Sequence, residues 1–293
     1  MNKVAVKLSD ATRKEKRGWH ASCRIRGHWL AENWDELDDI FYPDYFKQEY
    51  HDFFRTENQM ELLKDYDVVI FHKAYEYRLA EQLKLAGKKL IMDLSDPDYL
   101  LGFSTIGRAG MCLMTMGYCD AVVVNSVSMM SDLYGCGKPV FFIPDRIDFK
   151  KISAQKKEHR EKIEEIVWFG HSDNFLSIRP YVSEITKNYR LRIIADKPID
   201  GCEFTPYNPD TICQDIIKSD LIILGDKLSR YKSNNRVVLS WALGMPVINL
   251  PKEIKSVETK EKREDLVSAC LELVKDFDIK KSVEEYKDLI TKI

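Results

Sequence analysis

YKSNNRVVLSWALGMPVINL, residues 231–250, contains one complete helix-to-strand step of the kind from which α/β chains are assembled. The pattern predicts a helix that starts near Ser233 or Asn234, runs apolar on one side to Leu243, stops at Gly244 and gives way after Pro246 to an apolar strand at 247–250. Ser233, Asn234 and Asn235 are all capping types. Lys232 and Arg236 lie four residues apart and share a face of that helix. A helix start that follows a strand and carries two cations is an anion site, because its free N–H groups and its dipole favour phosphate. The same two cations also fit a plain solvated helix start.

Outward from this stretch the same alternation fills the chain. Short apolar runs at 4–8, 68–71, 89–93, 121–124, 140–143, 166–169, 190–195, 221–224 and 247–250 are separated by longer amphipathic ones. Strands without internal polar alternation are buried on both faces, which predicts parallel sheets covered by helices in an α/β, doubly wound architecture. A chain of 293 residues suits two domains of roughly 150 residues each. The charged run DFKKISAQKKEHREKIEE, residues 148–165, reads as the lead-in between two such domains or as a surface helix. Segments 261–275 and 280–293 carry amphipathic helical patterns.

The totals exclude several classes. With 45 basic and 47 acidic residues the chain is no polycation, so whole-chain affinity for nucleic acid is not expected, although a local patch is compatible with neutrality. Seven cysteines without CxxC or Cys/His spacing fit reduced thiols better than a disulfide framework or a zinc site, and make a cytoplasmic location the expectation. No run approaches the length of a membrane span, and no signal peptide is read at the N-terminus.

In doubly wound folds ligands collect at the C-terminal ends of strands, which turns the strand list into a list of candidate loops. The first loop and the helix after it hold Arg13, Lys14, Lys16, Arg17, His20, Arg24, Arg26 and His28 with Trp19 and Trp29 interleaved. Such cations suit a phosphate-bearing substrate, and their alternation with aromatics also suits nucleic acid. His72 and Lys73 end the next strand. Asp93, Asp96 and Asp98 cluster in LIMDLSDPDYL, where a carboxylate can act as general base toward an acceptor hydroxyl or shape a turn before Pro97. Asp145, Arg146 and Asp148 follow FFIP. Gly170 and His171 follow IVWF, where a glycine lets a diphosphate approach the backbone. The GxGxxG fingerprint is absent, which disfavours a dinucleotide-dependent dehydrogenase.

Together, ASCRIRGHWLAE, YDVVIFHKAY, GKKLIMDLSDP, CDAVVVNS with GKPVFFIPDRID, IVWFGH and KSNNRVVLSWALGMPVI resemble, in order and spacing across residues 21–250, the nucleotide-sugar glycosyltransferases of GT-B fold, in their group-one, retaining branch. The resemblance implies two Rossmann-like domains facing across a cleft: an acceptor domain at 1–147, a nucleotide-sugar domain at 148–278, and C-terminal helices packing back toward the N-terminal domain, with 279–293 as the returning helix. It implies a hexosyl- or pentosyltransferase moving sugar from a UDP- or GDP-type donor to a hydroxyl of a glycan, a lipid-linked saccharide or a protein. No cofactor is obligatory, and no metal is expected because the Asp96/Asp98 pair falls in the acceptor half. Gly170, His171, Lys232, Ser233, Asn234, Asn235, Arg236 and Arg146 are then expected at the nucleotide sugar, Arg24, Arg26 and Lys73 at the acceptor, and Asp96, with His72 and Asp93 behind it, in catalysis.

Two departures bear on the chemistry. Tyr231 and Leu239 stand where many relatives carry a Glu-x7-Glu pair, and GHSDNFLS replaces their Arg and Lys after the first strand of the second domain. The missing carboxylates keep open a non-catalytic nucleotide-sugar-binding protein. The basic and aromatic stretch at 13–29 keeps open a DNA glycosyltransferase acting on hydroxymethylated bases. A sugar-nucleotide epimerase of the same fold is disfavoured by the order of the motifs.

Overall fold

The computed structural model describes residues 2–8, 21–40, 56–152, 157–226 and 230–293. It divides into two compact units, Met1–Arg146 with Ile279–Ile293, and Ile147–Asp278. Each is built on a parallel sheet.

In the first unit the strands are β1 (Val4–Leu8), β2 (Leu37–Ile40), β3 (Val68–His72), β4 (Lys89–Leu94), β5 (Ala121–Val124) and β6 (Val140–Phe142), in the order β2-β1-β3-β4-β5-β6. In the second they are β7 (Glu165–Phe169), β8 (Arg190–Ala195), β9 (Glu203–Pro206), β10 (Leu221–Ile223) and β11 (Val247–Ile248), in the order β11-β10-β7-β8-β9. Every pairing is parallel. The central strands VVIFH and EIVWF are buried at every residue, as expected for strands covered on both faces. Two strands carry no sequence signal: LDDI in β2 and EFTP in β9 are edge strands with a single neighbour, where charged and proline residues are tolerated.

Among the described residues, the helices of eight residues or more are α1 (Thr56–Leu63), α2 (Tyr77–Leu85), α3 (Ile106–Tyr118), α4 (Asn235–Ala242), α5 (Lys260–Val274) and α6 (Ile279–Lys292). The C-terminal helix α6 belongs to the first unit. Its Ile279, Val283, Tyr286, Leu289 and Ile290, spaced at helical intervals, share one core with Val4, Val6, Leu8, Val68, Ile70 and Ile91 of the sheet. Burial of side chains this size contributes roughly 1.5–3 kcal/mol each. Arg146 secures the same helix through Nη1 to Ser282 Oγ at 3.0 Å and through both Nη atoms to the Glu285 carboxylate at 2.5 and 2.7 Å.

In the second unit α4 follows β10 and is capped by Leu243, and Gly244 takes φ +68°, the left-handed conformation that closes a helix. Gly225, just past β10, has φ +79°, and a Cβ there would lie 2.3 Å from the Ser177 carbonyl oxygen. Only glycine lets the loops after β7 and β10 meet this closely. They are joined further by Ser177 Oγ to Leu224 O at 2.9 Å and by Asp226 N to Ser177 O at 3.1 Å.

Candidate functional site

In the second unit three of the residues expected at a nucleotide sugar, Gly170, His171 and Arg236, meet at the C-terminal end of β7. Asn234 is the N-cap of α4, and its side chain makes no capping bond. Ser233 Oγ instead accepts from the Asn235 N–H at 3.4 Å, and Asn234 Oδ1 is buried without a partner among the described residues. Arg236, in the first turn, reaches back to the end of β7, where Nη1 donates to the Phe169 carbonyl at 3.2 Å and the guanidinium lies 5.7 Å from the Trp168 ring centroid. Gly170 is the next residue: a Cβ there would stand 3.3 Å from Arg236 Nη1 and 3.2 Å from the Trp168 ring. The bare backbone therefore lets the guanidinium lie directly under the strand end.

Arg236 is half-buried, and burial pushes its pKa down to about 10. No acidic side chain offsets that burial among the described residues. Arg192, a buried arginine of the same unit, is handled differently, pairing with Glu165 at 2.8 Å. A partly desolvated cation beside a helix N-terminus, with only a carbonyl and an aromatic face for company, is a position that an anion would stabilise. Lys232 is exposed beside it.

His171 is half-exposed next to Gly170. Its Nδ1 accepts from the Asp173 N–H at 3.4 Å, and its Nε2 lies 3.6 Å from Asp196 Oδ2. Asp196 also accepts from Ser172 through the backbone N–H at 2.7 Å and the hydroxyl at 3.1 Å. Burial opposes its charge, but the Ser172 N–H and hydroxyl, its own backbone N–H and His171 together outweigh this and hold the carboxyl below its usual range. Neither Asp196 nor Trp168 was singled out in the sequence. Asp196 sits at the end of β8, so the strand-end rule reaches it; Trp168 reads in the sequence simply as a core residue.

In the first unit the strand ends of β3 and β4 divide the expected residues into two sets. Lys73 is the one non-glycine residue with positive φ among the described residues, at +54°, and its Nζ pairs with Asp96 at 2.6 Å. Asp96 remains substantially exposed. Asp98, behind it, accepts from the Tyr75 hydroxyl at 2.6 Å and Arg108 Nη2 at 2.9 Å, which fixes the turn through Pro97. Lys73 and Asp96 are thus brought together at the sheet's C-terminal edge.

His72, Asp93 and Arg26 are placed otherwise. Arg26 was expected at the acceptor and His72 and Asp93 in catalysis, yet all three lie inside the unit, with His72 and Asp93 0% exposed. Arg26 Nε donates to Asp93 at 2.8 Å, Nη1 to Asp145 at 3.1 Å and to the Ile143 carbonyl at 3.0 Å, and Nη2 to the Tyr286 hydroxyl at 3.1 Å, which itself donates to Asp93 at 2.9 Å. His72 Nδ1 lies 3.3 Å from Asp93. Burial opposes the Asp93 charge, but Arg26 and His72 hold its carboxyl well below the usual range. Burial likewise opposes a charged His72, and the Asp93 carboxylate together with Cys23 outweighs it, raising His72 to about 9. This buried cluster ties the sheet to α6 and has no room for a substrate. Arg146, expected at the diphosphate, has its guanidinium on Glu285 and Ser282 of the same helix. Arg24 lies over the Trp29 ring at 5.3 Å. Arg13, Lys14, Lys16, Arg17, Trp19 and His20 lie outside the described residues.

Among the described residues no cluster of metal-ligating side chains is present, and no helix is long and apolar enough to cross a membrane. No protein-family model and no curated protein matches the sequence. Solved structures match its fold over nearly the whole length. The structure of Anabaena HepE in complex with UDP and glucose is similar with a TM-score of 0.72 at 10% identity, covering 100% of both chains. The lipopolysaccharide outer core galactosyltransferase WaaB, in its apo form, gives 0.64 at 12% identity, covering 99% of this chain and 100% of the other. A UDP-N-acetylglucosamine 2-epimerase, so named as a putative assignment, from Listeria monocytogenes gives 0.52 at 12%, covering 96% and 91%. The chain has the two-sheet α/β fold of the GT-B glycosyltransferases.

Proposed function

We propose that the protein is a glycosyltransferase that moves a sugar from a nucleotide diphosphate sugar to a hydroxyl acceptor. The carrying observation is Arg236, a half-buried guanidinium beside Gly170 at the start of α4, with no acidic partner among the described residues. A diphosphate would supply the missing charge. As the glycosidic bond breaks, negative charge grows on the leaving diphosphate, and a cation already in place stabilises it without reorganisation. Lys232 and the N–H groups of the first turn of α4 add to the same field, and His171 borders it. On the acceptor side Asp96, paired with Lys73, accepts a hydrogen bond from the attacking hydroxyl and orients it. The family resemblance supports transfer with retention.

The test is release of nucleoside diphosphate from UDP- and GDP-linked hexoses and pentoses, beginning with UDP-glucose. Arg236→Ala is expected to lower turnover of the accepted donor by roughly tenfold to hundredfold, the worth of a charge-assisted hydrogen bond in a partly buried site. NMR of the recovered donor distinguishes transfer from epimerisation: an epimerised sugar with no diphosphate release would overturn the proposal.

A further inference from the structure

Nine of the fourteen exposed large hydrophobic side chains among the described residues fall between residues 101 and 134. The densest part is α3 and the turn leading into it, where Leu101, Phe103, Ile106, Met111, Leu113 and Met114 all face outward, Ile106 at 81% exposure and Leu101 at 66%. A surface helix ordinarily keeps charged or polar residues on its outer side. Here the inner side is the usual one, with Ala109, Cys112 and Met116 buried, and the outer side is apolar too.

Its centre is a seam of glycine. Gly107, Gly110, Met114 and Gly117 follow at intervals of three, four and three, one face of a helix. A Cβ at any of the three glycines would meet nothing within 4 Å, so no neighbour inside the unit requires them. Each costs about 1 kcal/mol of helix stability relative to alanine. Close approach of a second backbone gives them a use.

We infer that this face is the interface of a two-fold homodimer, in which α3 packs against α3 of a second copy and each Met114 enters the glycine seam of the other. Such a contact is self-complementary, as two-fold symmetry requires, because a knob and its holes lie on the same strip of helix. The area is adequate. The six exposed fractions, 43–81% each, amount to little more than three whole side chains, on the order of 500 Å² per copy, which reaches the roughly 1,000 Å² in total that a specific interface clears.

Charge selects a second copy over a lipid surface. Interfacial helices border their apolar face with unpaired lysine and arginine. Across residues 99–118 the one charged residue is Arg108, whose guanidinium pairs with Asp98 at 2.9 Å; on the adjoining helix α2, Lys84 is paired with Asp120 and Arg78 lies against Tyr77, so no row of unpaired cations borders the face among the described residues. Apolar cores with few charges are typical of homodimer interfaces.

Sedimentation of the full chain from about 1 to 100 µM tests this. The expected result is a dimer whose dissociation constant rises about a hundredfold or more in Met114→Glu, which buries an unpaired carboxylate in each copy, and is little changed in Met114→Leu. Thermal melts establish that both variants are folded, and Ile106→Glu provides a second disruptive change on the same face. A monomer at about 100 µM, or a dimer that survives both glutamate substitutions, would overturn the inference. So would a monomer that floats with phosphatidylcholine or phosphatidylglycerol vesicles, which would assign the face to lipid.

Discussion

His72 and Asp93 form a buried ion pair in contact with Arg26 and Tyr286, and their titration sets a pH window for stability. The folded pKa of His72, about 9, lies above its ordinary 6.5, so its contribution is complete below about 6.5 and is lost as pH rises toward 9. Asp93 has the opposite sign: its contribution is present above the usual carboxylate range and is lost only in acid, as pH falls through its depressed folded value. The difference in urea-unfolding stability between wild type and His72→Gln, which isolates this contribution from that of other groups, is therefore expected to shrink by on the order of 2–3 kcal/mol between pH 6.5 and 9. A difference that does not change with pH would remove His72 from the cluster. Gly225 makes a second residue-scale prediction. With φ +79° and a Cβ position 2.3 Å from Ser177 O, Gly225→Ala is expected to destabilise the protein by roughly 2 kcal/mol or more, read as a lower denaturation midpoint at unchanged slope.

At the scale of elements, the apolar strands and the helix α4 are legible because their cause is local: uninterrupted apolar runs, a capping cluster at 233–235, a glycine stop at 244. The edge strands β2 and β9 are not, since LDDI and EFTP become strands only through a neighbour. The candidate site is half legible for a related reason. Strand ends are readable, but the face to which a side chain points depends on what covers the sheet. His72 follows Val68 and Ile70, and Asp93 follows Ile91, at the two-residue period of the face that α6 covers, whereas Lys73 and Asp96 emerge at the edge. The local pattern of β3 and β4 holds no trace of α6, which joins them from some 200 residues away. The link is testable. Tyr286→Phe keeps the ring in the core but removes the hydroxyl that accepts from Arg26 and donates to Asp93, and is expected to cost about 1–3 kcal/mol in denaturant unfolding. Full wild-type stability in this variant would show that α6 is held by apolar packing alone.

At the scale of the molecule, a near-neutral chain carries a doubly wound parallel sheet in each of two units, a fold it shares with HepE and the galactosyltransferase WaaB at about one identical residue in ten. That fold serves transferases and the epimerase named above alike, so the functional reading rests on the anion site rather than on the architecture. The measurement closest to that reading is calorimetric titration of the wild-type chain and of Arg236→Ala with UDP-glucose and GDP-mannose. Saturable binding of one donor by the wild type, weakened roughly tenfold to hundredfold in the variant while its melting temperature is retained, is the predicted result. Equal affinity in the two proteins, or no binding of either donor at about 1 mM, would contradict it.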